Sequence, residues 1–169
     1  MINLENILAK ARTSSFHRWL LNVGLHRMIP FNKPHGFRVT EITDSYIKTL
    51  LPYKRKNVNH IRGLHACALA TLTEFSSGLF LILKLGMSRY RIILRKLTME
   101  YHYQGKVEAV AQFGLSDEWI QEHVVRPLST QESVIVNCEV KIFDRNGNHL
   151  TTGVTEWQLK DWTKVKTKA

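Results

Sequence analysis

The period of apolar positions changes twice along this chain. In residues 3–28, Leu4, Ile7, Leu8, Ala11, Phe16, Leu20 and Val23 fall roughly on one face, with Lys10, Arg12, Arg18 and Arg27 mostly off it. That spacing predicts an amphipathic helix. Thr13, Ser14 and Ser15 interrupt it, and Pro30 and Pro34 end it. Two short strands are expected at 36–43 and 45–52. From Leu64 to Leu83 no polar stripe remains, and a helix apolar on every side is a buried helix. Gly86 stops it. After Gly86 the pattern alternates. Residues 90–103 read as a strand with Ile93, Leu97, Met99, Tyr101 and Tyr103 on one side, and Tyr101 and Tyr103 read as core. Gln104-Gly105 reads as a turn into a strand carrying Val107, Ala109, Ala111 and Phe113. Ser116-Asp117-Glu118 opens a short helix or loop over 116–126. Val134, Val136, Cys138, Val140 and Ile142 mark the cleanest strand. Asp144-Arg145-Asn146-Gly147-Asn148 is a hairpin turn into a last strand at 149–160, with Gly153 as the site of a bulge. The tail, Lys164 to Ala169, is polar and basic and is expected to fray.

The order is helix, two strands, one buried helix, four strands. It predicts an α+β fold with an antiparallel sheet curved around one long central helix. The 169 residues make one domain with a sizeable core, without internal repeat or linker. Residues 66–83 are long enough to raise the question of a membrane span. Thr71, Thr73, Glu74, Ser76, Ser77 and Gly78 dilute the run, which favours a core helix.

Charge narrows the partners. Twenty-four basic against 14 acidic residues give a net charge of +10, which favours nucleic acid, a membrane surface or a phosphate-bearing small molecule. Cys67 and Cys138 form no disulfide framework and suit a reducing, cytoplasmic setting. The Met-Ile-Asn-Leu-Glu start argues against a secretory signal. No His, Cys or acidic spacing suggests a metal, and no glycine-rich phosphate loop or nucleophile elbow occurs, so no cofactor is expected.

The chemistry concentrates at Asn59-His60-Ile61-Arg62-Gly63-Leu64-His65 and the helix behind it. Glu74 is the one ionisable group expected to be charged between Ala66 and Leu83. Burying a carboxylate disfavours its charged form, so such a group is either hydrogen-bonded for structure or used as an acid or base. His65 and Glu74 are nine positions apart, which on one helix is about 180° around and about 13 Å along the axis. They meet only if the helix departs from form at His65 or if two copies of the chain bring them together. Taken singly, Asn59 suits a turn, His65 a helix start, and Cys67 is an unactivated thiol at a helix start.

Asn59, Gly63, His65 and Glu74 resemble the Asn-x₃-Gly-x-His-x₈-Asp/Glu spacing of hotdog-fold acyl-CoA thioesterases of the phenylacetate-pathway type. The chain is most similar to a thioesterase-like subfamily with Glu at the helix position. The resemblance covers roughly 36–160 and leaves residues 1–30 as a helical extension. It implies a homodimer or dimer of dimers with sites at the subunit interface, and hydrolysis of an acyl-CoA, coenzyme A entering only as part of the substrate. Glu74 would be general base or nucleophile, Asn59 would position water or thioester, and His65 would orient the loop. The amides of Ala66 and Cys67 would polarise the carbonyl. Gly63, Ala66, Cys67, Arg62, Arg89 and Arg91 would line the substrate site, the arginines facing the phosphates of coenzyme A. His65-Ala66-Cys67 departs from the usual His-Gly-Gly, and cysteine narrows the pocket.

Two rivals use the same residues differently. One is a hotdog protein that binds an acyl group or acyl carrier without turnover. The other is a basic protein binding nucleic acid or an anionic membrane through its N-terminal helix, although no nucleic-acid module appears and nucleic acid is not the expected partner. The apolar face of that helix is covered by the body of the fold, caps an acyl tunnel, or rests on a lipid surface.

Overall fold

The computed structural model describes residues 4–165, so Met1 to Asn3 and the last four residues of the expected fraying tail lie outside the described residues. The N-terminal stretch forms two helices, α1 (Leu4–Ala11) and α2 (Ser15–Met28). The break falls at Ser14, whose Oγ accepts the His17 N–H at 3.4 Å and caps α2. Then come β1 (Arg38–Ile42), β2 (Ile47–Leu51), the long helix α3 (Ala66–Leu85) and β3 (Tyr90–Tyr101). β4 (Ala109–Phe113), the short helices α4 (Asp117–Ile120) and α5 (Arg126–Thr130) with a π turn between them, β5 (Ser133–Asp144) and β6 (His149–Asp161) complete the chain.

Six antiparallel strands in the order β1-β2-β4-β5-β6-β3 make one sheet, and α3 packs against β2, β3, β4, β5 and β6. α3 is long and apolar enough to cross a membrane, yet most of it is buried in the centre of the fold. Leu72, Phe80 and Leu81 are each 1% exposed or less. Close approach of sheet to helix rests on two small residues. A Cβ at Gly78 would meet the Trp157 ring at 2.7 Å, and one at Gly153 would meet Met99 Sδ and Thr73 Cγ2, each at 2.6 Å.

β5 alternates as its sequence predicts, burying Val134, Val136, Cys138, Val140 and Ile142. The Asp144 carboxylate accepts the Asn146 and Asn148 amides at 2.9 Å each and closes the hairpin into β6.

Four expectations change. Gly153 pairs in register with Val140 and Met99 rather than marking a bulge. The register of β6 shifts instead at Leu150, where Ile142 pairs with Thr151 and Phe143 with His149, and that of β3 shifts at Arg95, where Leu94 pairs with Trp157 and Lys96 with Glu156. One extra residue reverses the alternation. Ile92 and Leu94 therefore share a face with Leu97, Met99 and Tyr101, while Ile93 lies on the other face, 48% exposed. Tyr101 and Tyr103 are not core but 49% and 56% exposed, because β3 is an edge strand and the chain leaves the sheet after it. The turn at Gln104-Gly105 does not join neighbours either. β4 pairs with β2 and β5, on the far side of the sheet from β3, and Val107 lies before the strand.

The extension seals the opposite edge. Asn22 Oδ1 accepts the Val39 N–H at 2.7 Å while its Nδ2 donates to the Val39 carbonyl at 2.9 Å. His26 Nε2 lies 2.7 Å from the Phe37 carbonyl. Side chains of α2 thus take up backbone groups that the edge strand β1 leaves unpaired.

Candidate active site

The 59–65 loop is held from within. Asn59 Oδ1 accepts the Ile61 and Gly63 amides at 3.1 and 2.9 Å, and the Asn59 N–H donates to the Gly63 carbonyl at 2.8 Å. The carboxamide oxygen thus shapes the loop, while Nδ2 makes no hydrogen bond among the described residues. Arg62 takes a positive φ of 60° inside this turn, and its carbonyl accepts the Tyr53 hydroxyl at 2.7 Å. Gly63 is buried against Gln104, whose Cγ would lie 2.6 Å from an added Cβ.

His65 is the N-cap of α3, its Nδ1 accepting the Cys67 N–H at 3.1 Å. This corrects one expected role. The Cys67 amide serves the cap and is unavailable to a carbonyl oxygen. The Ala66 N–H makes no hydrogen bond among the described residues and stands at the positive end of the helix. Tyr101 reaches back from β3 and donates its hydroxyl to the Ala66 carbonyl at 3.1 Å.

Asn57, which sequence reasoning passed over, anchors the loop. Its side chain is fully buried, its Nδ2 donating to the His35 and Pro52 carbonyls at 2.9 and 2.8 Å. Its Oδ1 lies 3.0 Å from His35 Nδ1, and its backbone carbonyl accepts the His65 N–H. An asparagine two positions before Asn59 carries no signal in the sequence that separates it from a turn residue.

Glu74 lies two turns into α3. Its carboxylate makes no hydrogen bond or ion pair among the described residues, and burial pushes its pKa above the ordinary 4.5. It is the one ionisable residue lining a cavity of about 320 Å³ between α3, the two N-terminal helices and the start of β3. Cys67, Thr71, Glu74 and Gly78 follow at four-, three- and four-residue steps, which places them on one stripe of α3. Toward the helix start the stripe borders a second cavity of about 270 Å³, lined by Phe31, His35, Lys56, His65 and Cys67 among others. Phe37 and Phe75, with ring centroids 6.2 Å apart, stand beside this stripe, one lining each cavity.

One chain does not assemble every expected residue. At 1.5 Å per residue, Glu74 lies about 12 Å along α3 from Ala66. Arg89 and Arg91 lie past the C-terminal end of α3, about 30 Å from His65 on the same scale. Arg89 sits over the Tyr90 ring at 5.0 Å, and Arg91 Nε is buried without a partner. No group of three His, Cys, Asp or Glu among the described residues could hold a metal ion.

The six-stranded antiparallel sheet packed on one long central helix is a hotdog fold. The chain belongs to the family described as DUF4442, a domain of unknown function, whose model matches residues 17–159. No match was found among curated proteins. Solved structures share the architecture. A Pseudomonas aeruginosa protein named as a probable thioesterase superposes with a TM-score of 0.77 at 21% identity, covering 85% of this chain and 95% of its own. A Chlorobaculum tepidum protein of unknown function superposes with a TM-score of 0.74 at 10% identity, over 89% and 98% of the two chains. A thioesterase from Haemophilus influenzae superposes with a TM-score of 0.66 at 10% identity, over 88% and 93%.

Proposed function

We propose that this protein is a thioesterase that hydrolyses an acyl-CoA to the free acid and coenzyme A, with Glu74 as the catalytic carboxylate. The observation that carries the reading is the unpartnered Glu74 side chain on the central helix, at the wall of an apolar cavity. A structural glutamate in a core helix finds hydrogen-bond donors. This one has none among the described residues, and burial raises its pKa, which makes it a stronger base once deprotonated.

The reading needs a second copy of the chain. β3 is a 12-residue edge strand with an open side, and an exposed edge of that length invites pairing. A two-fold antiparallel pairing of β3 with its copy would set Arg89 and Arg91 of one subunit near Tyr101 of the other, and Tyr101 touches Ala66. The arginines would then face the coenzyme A phosphates, while Glu74 of one subunit would meet the 59–65 loop of the other. In such a site Glu74 would draw a proton from water as that water attacks the thioester carbonyl, the Ala66 N–H would stabilise the oxyanion, and collapse would break the C–S bond, the coenzyme A thiolate taking up the proton that Glu74 holds and leaving as the thiol. Asn59 Nδ2 would orient the water or the thioester. The test is hydrolysis of a series of acyl-CoAs by wild type and Glu74→Gln. Binding without turnover in the wild type would instead support the acyl-binding reading.

A further inference from the structure

The cavity beside Glu74 has a composition that selects its contents. Its walls come from Ile7, Leu20, Leu25 and Met28 of the N-terminal helices and from Leu79 and Ile82 of α3, among others. Among the described residues the lining holds one side-chain acceptor, the Glu74 carboxylate, and one side-chain donor, Trp157 Nε1, which is already spent on Ser77 Oγ at 3.1 Å and Thr155 Oγ1 at 2.9 Å. A hydroxyl, amine or second carboxylate on the part of a bound chain beyond reach of Glu74 would go unpaired there, which such a site rejects.

Shape selects further. The cavity follows α3 from Glu74 to Leu83, nine residues or about 13 Å of helix. Its volume of about 320 Å³ corresponds to about ten water-sized groups at about 30 Å³ each. That volume, spread along about 13 Å of helix, suits a flexible unbranched chain better than a ring. Gly24 lies within α2 and lines the cavity, and a Cβ built on it meets nothing within 4 Å. A glycine in a helix interior is unfavourable compared with alanine, so local propensity alone does not account for it. What it leaves is room.

Resting on the thioesterase reading, we propose that this cavity is the acyl pocket, that it takes an unbranched, unsubstituted aliphatic chain of about ten carbons, and that Gly24 is a specificity-determining residue for chain length. The N-terminal extension is then a wall of the substrate site as well as cover for the β1 edge.

The test is calorimetric binding of non-hydrolysable S-alkyl-CoA thioethers from butyl to hexadecyl, with benzyl and 8-hydroxydecyl analogues, the hydroxyl of the latter lying far from Glu74. Affinity is expected to rise about fourfold per methylene, the transfer preference of one buried CH₂, up to about ten carbons, and then to level off. The benzyl and hydroxylated analogues should bind more weakly than decyl. Gly24→Leu should move the plateau to shorter chains by about the four carbons its side chain adds. Ile82→Trp, from the facing wall, should shorten it as well and serves where Gly24→Leu does not fold. Affinity independent of chain length in the wild type would overturn the proposal, whatever the variants do. Chain-length-dependent binding without hydrolysis of the matching thioesters would remove the thioesterase reading and keep the pocket. Hydrolysis with no chain-length preference would keep the thioesterase and remove the pocket.

Discussion

The backbone carbonyl of Asn57 accepts the His65 N–H at 2.8 Å, while the Asn57 side chain, wholly buried, ties His35 and Pro52 together. The start of α3 is thereby fixed to the turn before β1 through one asparagine. Asn57→Ala leaves two part-buried carbonyls and His35 Nδ1 without their partner, each at up to about 1–3 kcal/mol. The expected result is a loss of about 2–4 kcal/mol in urea unfolding. Asn59→Ala, whose loop is closer to solvent, should cost less. Equal losses for the two would mean that Asn57 is not the anchor.

Glu74 should leave a signature in stability. Its pKa is raised in the fold by burial, so the folded protein holds this proton more tightly than the unfolded chain. Its contribution is therefore most favourable below about 4.5 and declines as pH rises through the folded-state value. Glu74→Gln removes that penalty. The variant should gain stability relative to wild type as pH is raised from 4 to 8, with the difference levelling off above the folded pKa. A constant difference across that range would show that Glu74 is not the titrating group.

The two thiols should separate sharply. Cys67 is exposed in the first turn of α3, whereas Cys138 is buried in β5 and its thiol is pushed up to about 12. A thiol-reactive dye at pH 8 should label one cysteine rapidly in the native protein and the second only on unfolding. Because Cys67 lines the cavity beside His65, labelling it should also slow any thioester turnover. Rapid labelling of both thiols would contradict the burial of β5.

Subunit pairing is tested by complementation. Sedimentation should give a dimer or dimer of dimers. Mixed Asn59→Ala and Glu74→Gln chains should regain part of the activity that each lacks alone, since one of the two mixed sites carries neither change. A fully active monomer would contradict an interface site.

How far the fold is legible in the sequence depends on whether local pattern or tertiary contact decides. The all-apolar run ending at Gly86 marks α3, and the alternation of Val134 to Ile142 marks β5, because each pattern has one structural solution. The face of β3 is misread because one bulged residue, Arg95, reverses the period, and no residue type announces it. The partner of β4 is misread because strand order is set by where α3 crosses the sheet rather than by neighbouring sequence. At the site, Glu74 is legible as a lone acid in an apolar helix. Asn57 and Gly24 are not, because their importance lies in what stands opposite them in space.

The central claim is that Glu74 carries out thioester hydrolysis. The measurement is steady-state release of coenzyme A from decanoyl-CoA by wild type and by Glu74→Gln, each checked for an intact fold, across pH 4 to 9. Wild type should turn over, with an acid limb whose apparent pKa lies above 4.5, and Glu74→Gln should lose about 10²–10⁴ in kcat together with that limb. Near-wild-type turnover by a folded Glu74→Gln would contradict the account.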